Sequence, residues 1–355
     1  MNPRRRATAP WIALAALLPL SGALGEDPVF TADFDRARCT FTASASGGFF
    51  PLQPGLVTTL AGEESTDGET VELAVTITVL AETETVDGVV TRVVEESESE
   101  DGELVEISRN FFAVCRETGD VWYFGEEVDI YEGGEVVSHG GAWRAGVDGA
   151  RPGIRVPGSP LAGARVYPEL APGVAEDRSE VLETAGTESV PAGEFEGVLR
   201  TLDTNALDPS GPGDLKVYAP GVGLIADEVM ELVEWTPPAC QADAATHCLQ
   251  DGRFRVRASW RDFQGGSGAA HALLGAAESG EFWFFWPDNT ELLVKVLDGC
   301  GLEPGAYWVF ATGLTNVEVT LTVEDTATAE QRTYVNALGT PFAPILDTAA
   351  FATCP

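Results

Sequence analysis

The chain has 355 residues, 44% hydrophobic and 22% charged, and its 56 acidic side chains against 21 basic ones set a net charge of −35. That apolar fraction is enough to build cores and excludes a disordered chain. A surface so negative repels phosphate backbones and anionic headgroups, which excludes nucleic acid and anionic lipid as partners.

At the N-terminus, Arg4-Arg5-Arg6 precedes an apolar run from Trp11 to Leu20 and then small residues up to Gly25. This order predicts a signal peptide over residues 1–25 and an exported protein, periplasmic or extracellular. The run is too short to span a bilayer, and no other stretch reaches ~18 apolar residues, so no transmembrane segment is expected. Cleavage would remove three arginines and no acid, taking the net charge from −35 to −38.

Residues 26–235 read as an acidic antiparallel β domain. Val71, Leu73, Val75, Ile77 and Val79 alternate with Glu72, Ala74, Thr76 and Thr78, the period of a half-buried strand. Further strands are predicted over 86–94, 104–115, 121–130, 165–167, 180–184, 195–202, 215–218 and 224–235, with tight turns at Asp87-Gly88 and Asp101-Gly102. A meander of this kind protects its edges by curving or closing into a barrel-like sheet. The acid run Glu95–Glu103 reads as the solvated tip of a hairpin.

The boundary is placed at Thr236-Pro237-Pro238. Residues 236–355 carry 14 acids and 6 bases, net −8, leaving −30 on residues 26–235. In this second domain Phe254, Val256, Ala258 and Trp260 alternate with polar residues, as do Val317, Val319, Leu321 and Val323. Strands are also predicted over 281–286, 292–297 and 307–310, while the tail 341–353 shows no sustained strand pattern. About seven short strands in about 110 residues fit an immunoglobulin-like β-sandwich, so the fold class is all-β throughout.

The six cysteines of an exported chain predict three disulfides. Of 15 possible connectivities, separation of the domains and proximity favour Cys39–Cys115, Cys240–Cys248 and Cys300–Cys354. The last would tie down the C-terminal tail.

Residues 49–60 (FFPLQPGLVTTL), 121–127 (VWYFGEE), 141–154 (GAWRAGVDGARPGI) and 217–226 (VYAPGVGLIA) resemble a family of exported bacterial proteins of unknown function. The chain departs from that family in lacking a tryptophan over Val57–Leu60 and in placing Val217 where a tyrosine is usual. The resemblance implies export and a β fold and carries no activity across. Residues 248–355, through CLQDGRFRVRASWRDF, EFWFFWPDNTELLVKVLDGC and YWVFATGLTNVEVTLTVEDT, resemble a C-terminal module appended to varied exported bacterial proteins, including some peptidases. Here Ala329 stands where that family often has a turn glycine. The resemblance implies a non-catalytic accessory role.

The three histidines, His139, His247 and His271, do not sit at ligand spacing, and no nucleophile-elbow or zinc-protease motif occurs. Glu126-Glu127 beside Trp122 and Tyr123 combine acid and aromatic rings, as sugar binding or glycoside hydrolysis requires; the competing reading is a strand with an acidic end. Asp203, Asn205, Asp208 and the later Asp214 approximate a calcium loop without the EF-hand spacing, and no other cofactor is expected. In the block Phe282–Trp286, alternation puts Phe282, Phe284 and Trp286 on one face and Trp283 and Phe285 on the other. One set fills the core, and the other packs too or presents rings such as Trp283 or Trp286 to a sugar or a partner.

The expected function is that of a non-catalytic binding or structural protein whose C-terminal module associates with a surface glycan or a protein partner. Two alternatives remain: a carrier holding an apolar ligand against a concave sheet, and a carboxylate-dependent glycan hydrolase with acids about 5–10 Å apart in a cleft.

Overall fold

A computed structural model describes residues 29–44, 48–66, 69–211, 213–273 and 278–354; the expected signal peptide, residues 1–25, lies outside them. The fold is all-β, with one 16-stranded antiparallel sheet and two five-stranded sheets.

The large sheet grows from local hairpins. Strands Glu69–Val86, Val89–Glu100 and Glu103–Cys115 are joined at Asp87-Gly88 and Asp101-Gly102. All four turn residues have positive φ, at 48°, 78°, 48° and 79°. Such turns match the right-handed twist of the strands they join, and Asp-Gly adopts them at little cost. Two long-range pairings then bend the meander round. Strand Met230–Thr236 pairs with Val57–Thr66, setting Trp235 opposite Thr58. The short segment 165–170 meets both ends of the sheet: Arg165–Val166 pairs with Asp177–Val190, and Glu169–Leu170 with Arg151–Val156. The sheet thereby closes on itself and leaves few free edges. At this seam a Cβ on Gly153 would lie 2.0 Å from the Tyr167 carbonyl oxygen, so only glycine allows the approach.

The N-terminal segment covers one part of the interior. Phe41 pairs with Cys115 next to the Cys39–Cys115 disulfide, and Phe34 and Phe41 pack edge-on against Trp122. Elsewhere Leu60, Val198, Ile225 and Leu232 form a second buried cluster.

Between the strands Glu69–Val86 and Val89–Glu100, the register slips from Val79 opposite Val94 to Thr83 opposite Arg92. The carbonyls of the bulged residues turn toward the fully buried Arg92, whose Nη1 donates to Ala81 O at 2.7 Å and, more weakly, to Leu80 O and Glu82 O. Its Nε donates to Ala43 O at 3.0 Å. Nη2 lies 2.9 Å from Asp251 Oδ1, an ion pair off the hydrogen-bond direction, which ties the large sheet to the segment after Cys248. Gln53 Nε2 donates to Cys240 O at the same junction.

After Thr236 the chain builds the two five-stranded sheets, one containing Phe254–Arg261 and Glu318–Asp325, the other Leu292–Asp298 and Tyr307–Gly313. Their alternating apolar residues share one cluster, including Phe254, Val256, Phe282, Val294, Val309, Val323 and Phe351. Cys240–Cys248 and Cys300–Cys354 form here as expected. The tail departs from expectation: Ile345–Phe351 is a strand paired with Tyr307–Gly313. Its pairing skips a register beside Tyr307 and buries mainly Ala350 and Phe351, which is why no period-2 pattern announces it.

Candidate functional site

The curved sheet lines a cavity of about 390 Å³ that is partly open to solvent. Its apolar lining comes from Phe50, Leu56, Ile77, Val79, Phe112 and Leu224. The same lining carries nine carboxylates, Glu96, Glu98, Glu106, Glu126, Glu169, Asp177, Asp203, Asp214 and Asp227, against only Arg155 and Lys216, and Ile77 stands directly opposite Glu96 on the neighbouring strand.

Strand periodicity puts them there. Val94, Glu96 and Glu98 occupy one face of Val89–Glu100, so the inward apolar row continues inward as acids. On the next strand Glu106, Ser108, Asn110 and Phe112 line the cavity. Glu98 stands directly opposite Glu106, and Asn110 opposite Glu126. The acid run is thus only in part a solvated tip: Glu100, Asp101 and Glu103 are exposed, while Glu96 and Glu98 face inward. Enclosure by residues more than a hundred positions away is the cause, and it leaves no mark in the run itself.

Both cations are already engaged. Arg155 donates to Asp203 Oδ2 and to the Tyr218 hydroxyl, each at 2.9 Å, and Ser179 Oγ donates to Asp203 Oδ1 at 2.6 Å. Lys216 pairs with Asp227 across neighbouring strands. Among the described residues no salt bridge reaches Glu96, Glu98, Glu106, Glu126, Glu169, Asp177 or Asp214. Burial pushes Glu98 up to about 7, helped by the negative charges of Glu106 and Glu96. Burial also lifts Glu126 to about 7, with the nearby Tyr123 hydroxyl opposing the rise and Glu96 and Glu106 adding to it. Burial and the adjacent Asp177 hold Glu169 well above the ordinary carboxylate range. Glu169 is 6% exposed, and its Oε2 is buried without a hydrogen-bond partner.

The residues singled out from sequence fare differently. Trp122 is buried beneath Phe34 and Phe41 and forms core, not a ring platform. Tyr123 is buried and donates its hydroxyl to Asn110 Oδ1, with its ring stacked on Phe112 at the cavity. Glu126 lines the cavity, whereas Glu127 points outward to Arg144. Adjacent strand residues face opposite ways, so these two carboxylates do not oppose one another across a substrate. Among the calcium candidates, Asp203 is committed to Arg155 and Ser179, Asn205 Oδ1 accepts from Leu207 N, and Asp208 Oδ1 accepts from Ser210. Among the described residues the only acidic, cysteine or histidine trio with ligand atoms within 4.8 Å is Cys39, Cys115 and Glu117, whose two sulfurs form a disulfide.

In the C-terminal sheets the strand ends at Trp283, not Trp286. Phe282 and Phe284 are buried, but a turn closed by Asn289 N to Trp286 O lifts Trp286 out of the alternation to 72% exposure. Trp283 lies flat beneath His271, ring centroids 3.9 Å apart.

Sequence reasoning missed Glu96, Glu98, Glu106, Arg155, Glu169, Asp177 and Tyr218 as cavity residues. The i, i+2 step from Val94 to Glu96 and Glu98 was the one signal available. Comparison with protein-family models, with curated proteins and with solved structures yields no match in any of the three.

Proposed function

We propose that this chain is an exported, non-catalytic binding protein whose closed N-terminal sheet, residues 26–235, holds a small amphiphile. Residues 236–355 form an immunoglobulin-like accessory module that associates with a surface glycan or a protein partner. The observation that carries the reading is the cavity of about 390 Å³, lined by both apolar side chains and carboxylates. Interior sites of this size, mostly preformed and with a few polar groups fixing orientation, are the usual form of small-molecule sites in closed sheets. The purely apolar ligand expected of a carrier fits less well, because burying an apolar molecule against ionised carboxylates strips their water without replacing it. The three disulfides and the two family resemblances support export and the accessory role.

Isothermal titration with 1-decylamine, 1-decanol and decanoate at pH 8 and physiological salt tests the binding reading. One-to-one binding of at least one probe, abolished by Leu224→Trp in the apolar part of the lining, is expected; no binding by any of the three overturns it. A glycan hydrolase is the second reading, carried by the cross-strand pair Glu98 and Glu106 with Glu98 lifted to about 7. Release of reducing ends from a panel of polysaccharides, lost in Glu106→Gln, would establish it.

A further inference from the structure

We propose that the ligand is an organic cation, an amine- or guanidine-bearing molecule whose head meets the Glu126 and Glu169 carboxylates and whose apolar body lies along Phe50, Leu56 and Phe112. This rests on the binding reading above and specifies its chemistry.

Three observations lead there independently. The first is charge: nine carboxylates face two cations, and both cations are taken by Asp203 and Asp227. Among the described residues no other cation lines the cavity to match the negative charge left there. The second is the orphaned acceptor. Glu169 Oε2 is buried, lines the cavity and receives no N–H or hydroxyl from the protein; its neighbour is the Asp177 carboxyl, with which it can only share a proton, and such an arrangement is a standing cost once both are ionised. A ligand that satisfies it must bring N–H or O–H groups. An ammonium brings three donors and a guanidinium five, a hydroxyl one, and a carboxylate none. The third is the like-charge pair Glu98 and Glu106, set directly opposite each other. Such a pair is destabilising in the free protein, and the cost is relieved when a positive group lies alongside.

The arrangement also selects against a bare metal ion. Calcium requires six to eight oxygens at 2.3–2.6 Å, whereas among the described residues no carboxylate trio of the cavity lies within 4.8 Å. Acids spread along strands, two residues apart or across a ladder, suit N–H donors spread over an organic head. The apolar side chains in the same lining favour a molecule with a carbon body over a small hydrated ion.

The same decyl series tests this, because its members share a tail and differ only in the head. At pH 8 decylamine is expected to bind at least about tenfold tighter than decanol, with decanoate weakest. Glu169→Gln, near-isosteric and unable to ionise against a bound cation, should weaken decylamine about tenfold and leave decanol within about twofold. Glu126→Gln supplies the same test should Glu169→Gln fail to fold. Equal or tighter binding of decanol or decanoate overturns the cationic ligand while leaving the binding reading intact. If none of the three binds, both fall. Calcium chloride that displaces decylamine at equal concentration would also overturn the inference.

Discussion

Replacing Arg92 by methionine removes a fully buried guanidinium and keeps most of its apolar volume. The structure sets the size of the loss. Nε and Nη1 give up good hydrogen bonds to Ala43 O and Ala81 O, at 3.0 and 2.7 Å, and weaker ones to Leu80 O and Glu82 O. Those carbonyls belong to the bulge and the adjoining N-terminal segment and have no strand partner to turn to. Each buried group left unpaired costs about 1–3 kcal/mol, and breaking a buried charge contact costs about 3–5 kcal/mol in all. The partner Asp251 is 47% exposed and regains water once Arg92 is gone, so it adds little to the loss. The reverse substitution is therefore milder: Asp251→Ala leaves Arg92 its carbonyl acceptors and should cost about 1–2 kcal/mol. Urea unfolding of the disulfide-intact variants, followed by tryptophan fluorescence, measures both. A cost below about 1 kcal/mol for Arg92→Met, or a larger cost for Asp251→Ala, would refute the idea that this side chain anchors the bulge.

The cavity acids make stability pH-dependent in the unusual direction. Glu98 and Glu126 hold their protons up to about 7 in the folded protein against an ordinary value of 4.5, so between those values the native state binds more protons than the unfolded chain. Their contribution is fully present below about pH 4.5 and is lost as pH rises through 7; the Tm of wild type relative to Glu98→Gln/Glu126→Gln should fall from pH 5 to pH 8, and parallel curves would disprove it. At pH 8, Glu98→Gln alone should stabilise the free protein by about 0.2–1 kcal/mol by ending its opposition to Glu106, and a lower Tm would count against that pairing. Removing Cys300–Cys354, which closes 54 residues, should cost about 4 kcal/mol, against about 2.5 kcal/mol for Cys240–Cys248, which closes 8; paired Cys→Ala variants under urea would show whether the order holds. Trp286→Ala should change stability by less than about 0.5 kcal/mol, since the ring is exposed, whereas Phe282→Ala should cost about 3–5 kcal/mol.

Much of the architecture is written locally. Alternation over Thr70–Leu80, the Asp-Gly turns at 87–88 and 101–102, and the aromatic-rich strands after residue 250 identify an all-β chain, because turn geometry and side-chain alternation depend only on neighbouring residues. The cysteine pairing was accessible for the same reason, each bond joining residues of one contiguous region. Tertiary structure decided which face of each strand is enclosed. Period-2 alternation separates two faces without saying which looks inward, so Glu96 and Glu98 are indistinguishable from solvated acids until segment 165–170 joins both ends of the sheet and shuts them in. That closure runs through backbone hydrogen bonds, which any residue but proline can donate and which leave no side-chain signature. The same holds for Trp122: its rings look like a binding platform along the strand and become core only when Phe34 and Phe41, some eighty to ninety residues earlier, cross over them.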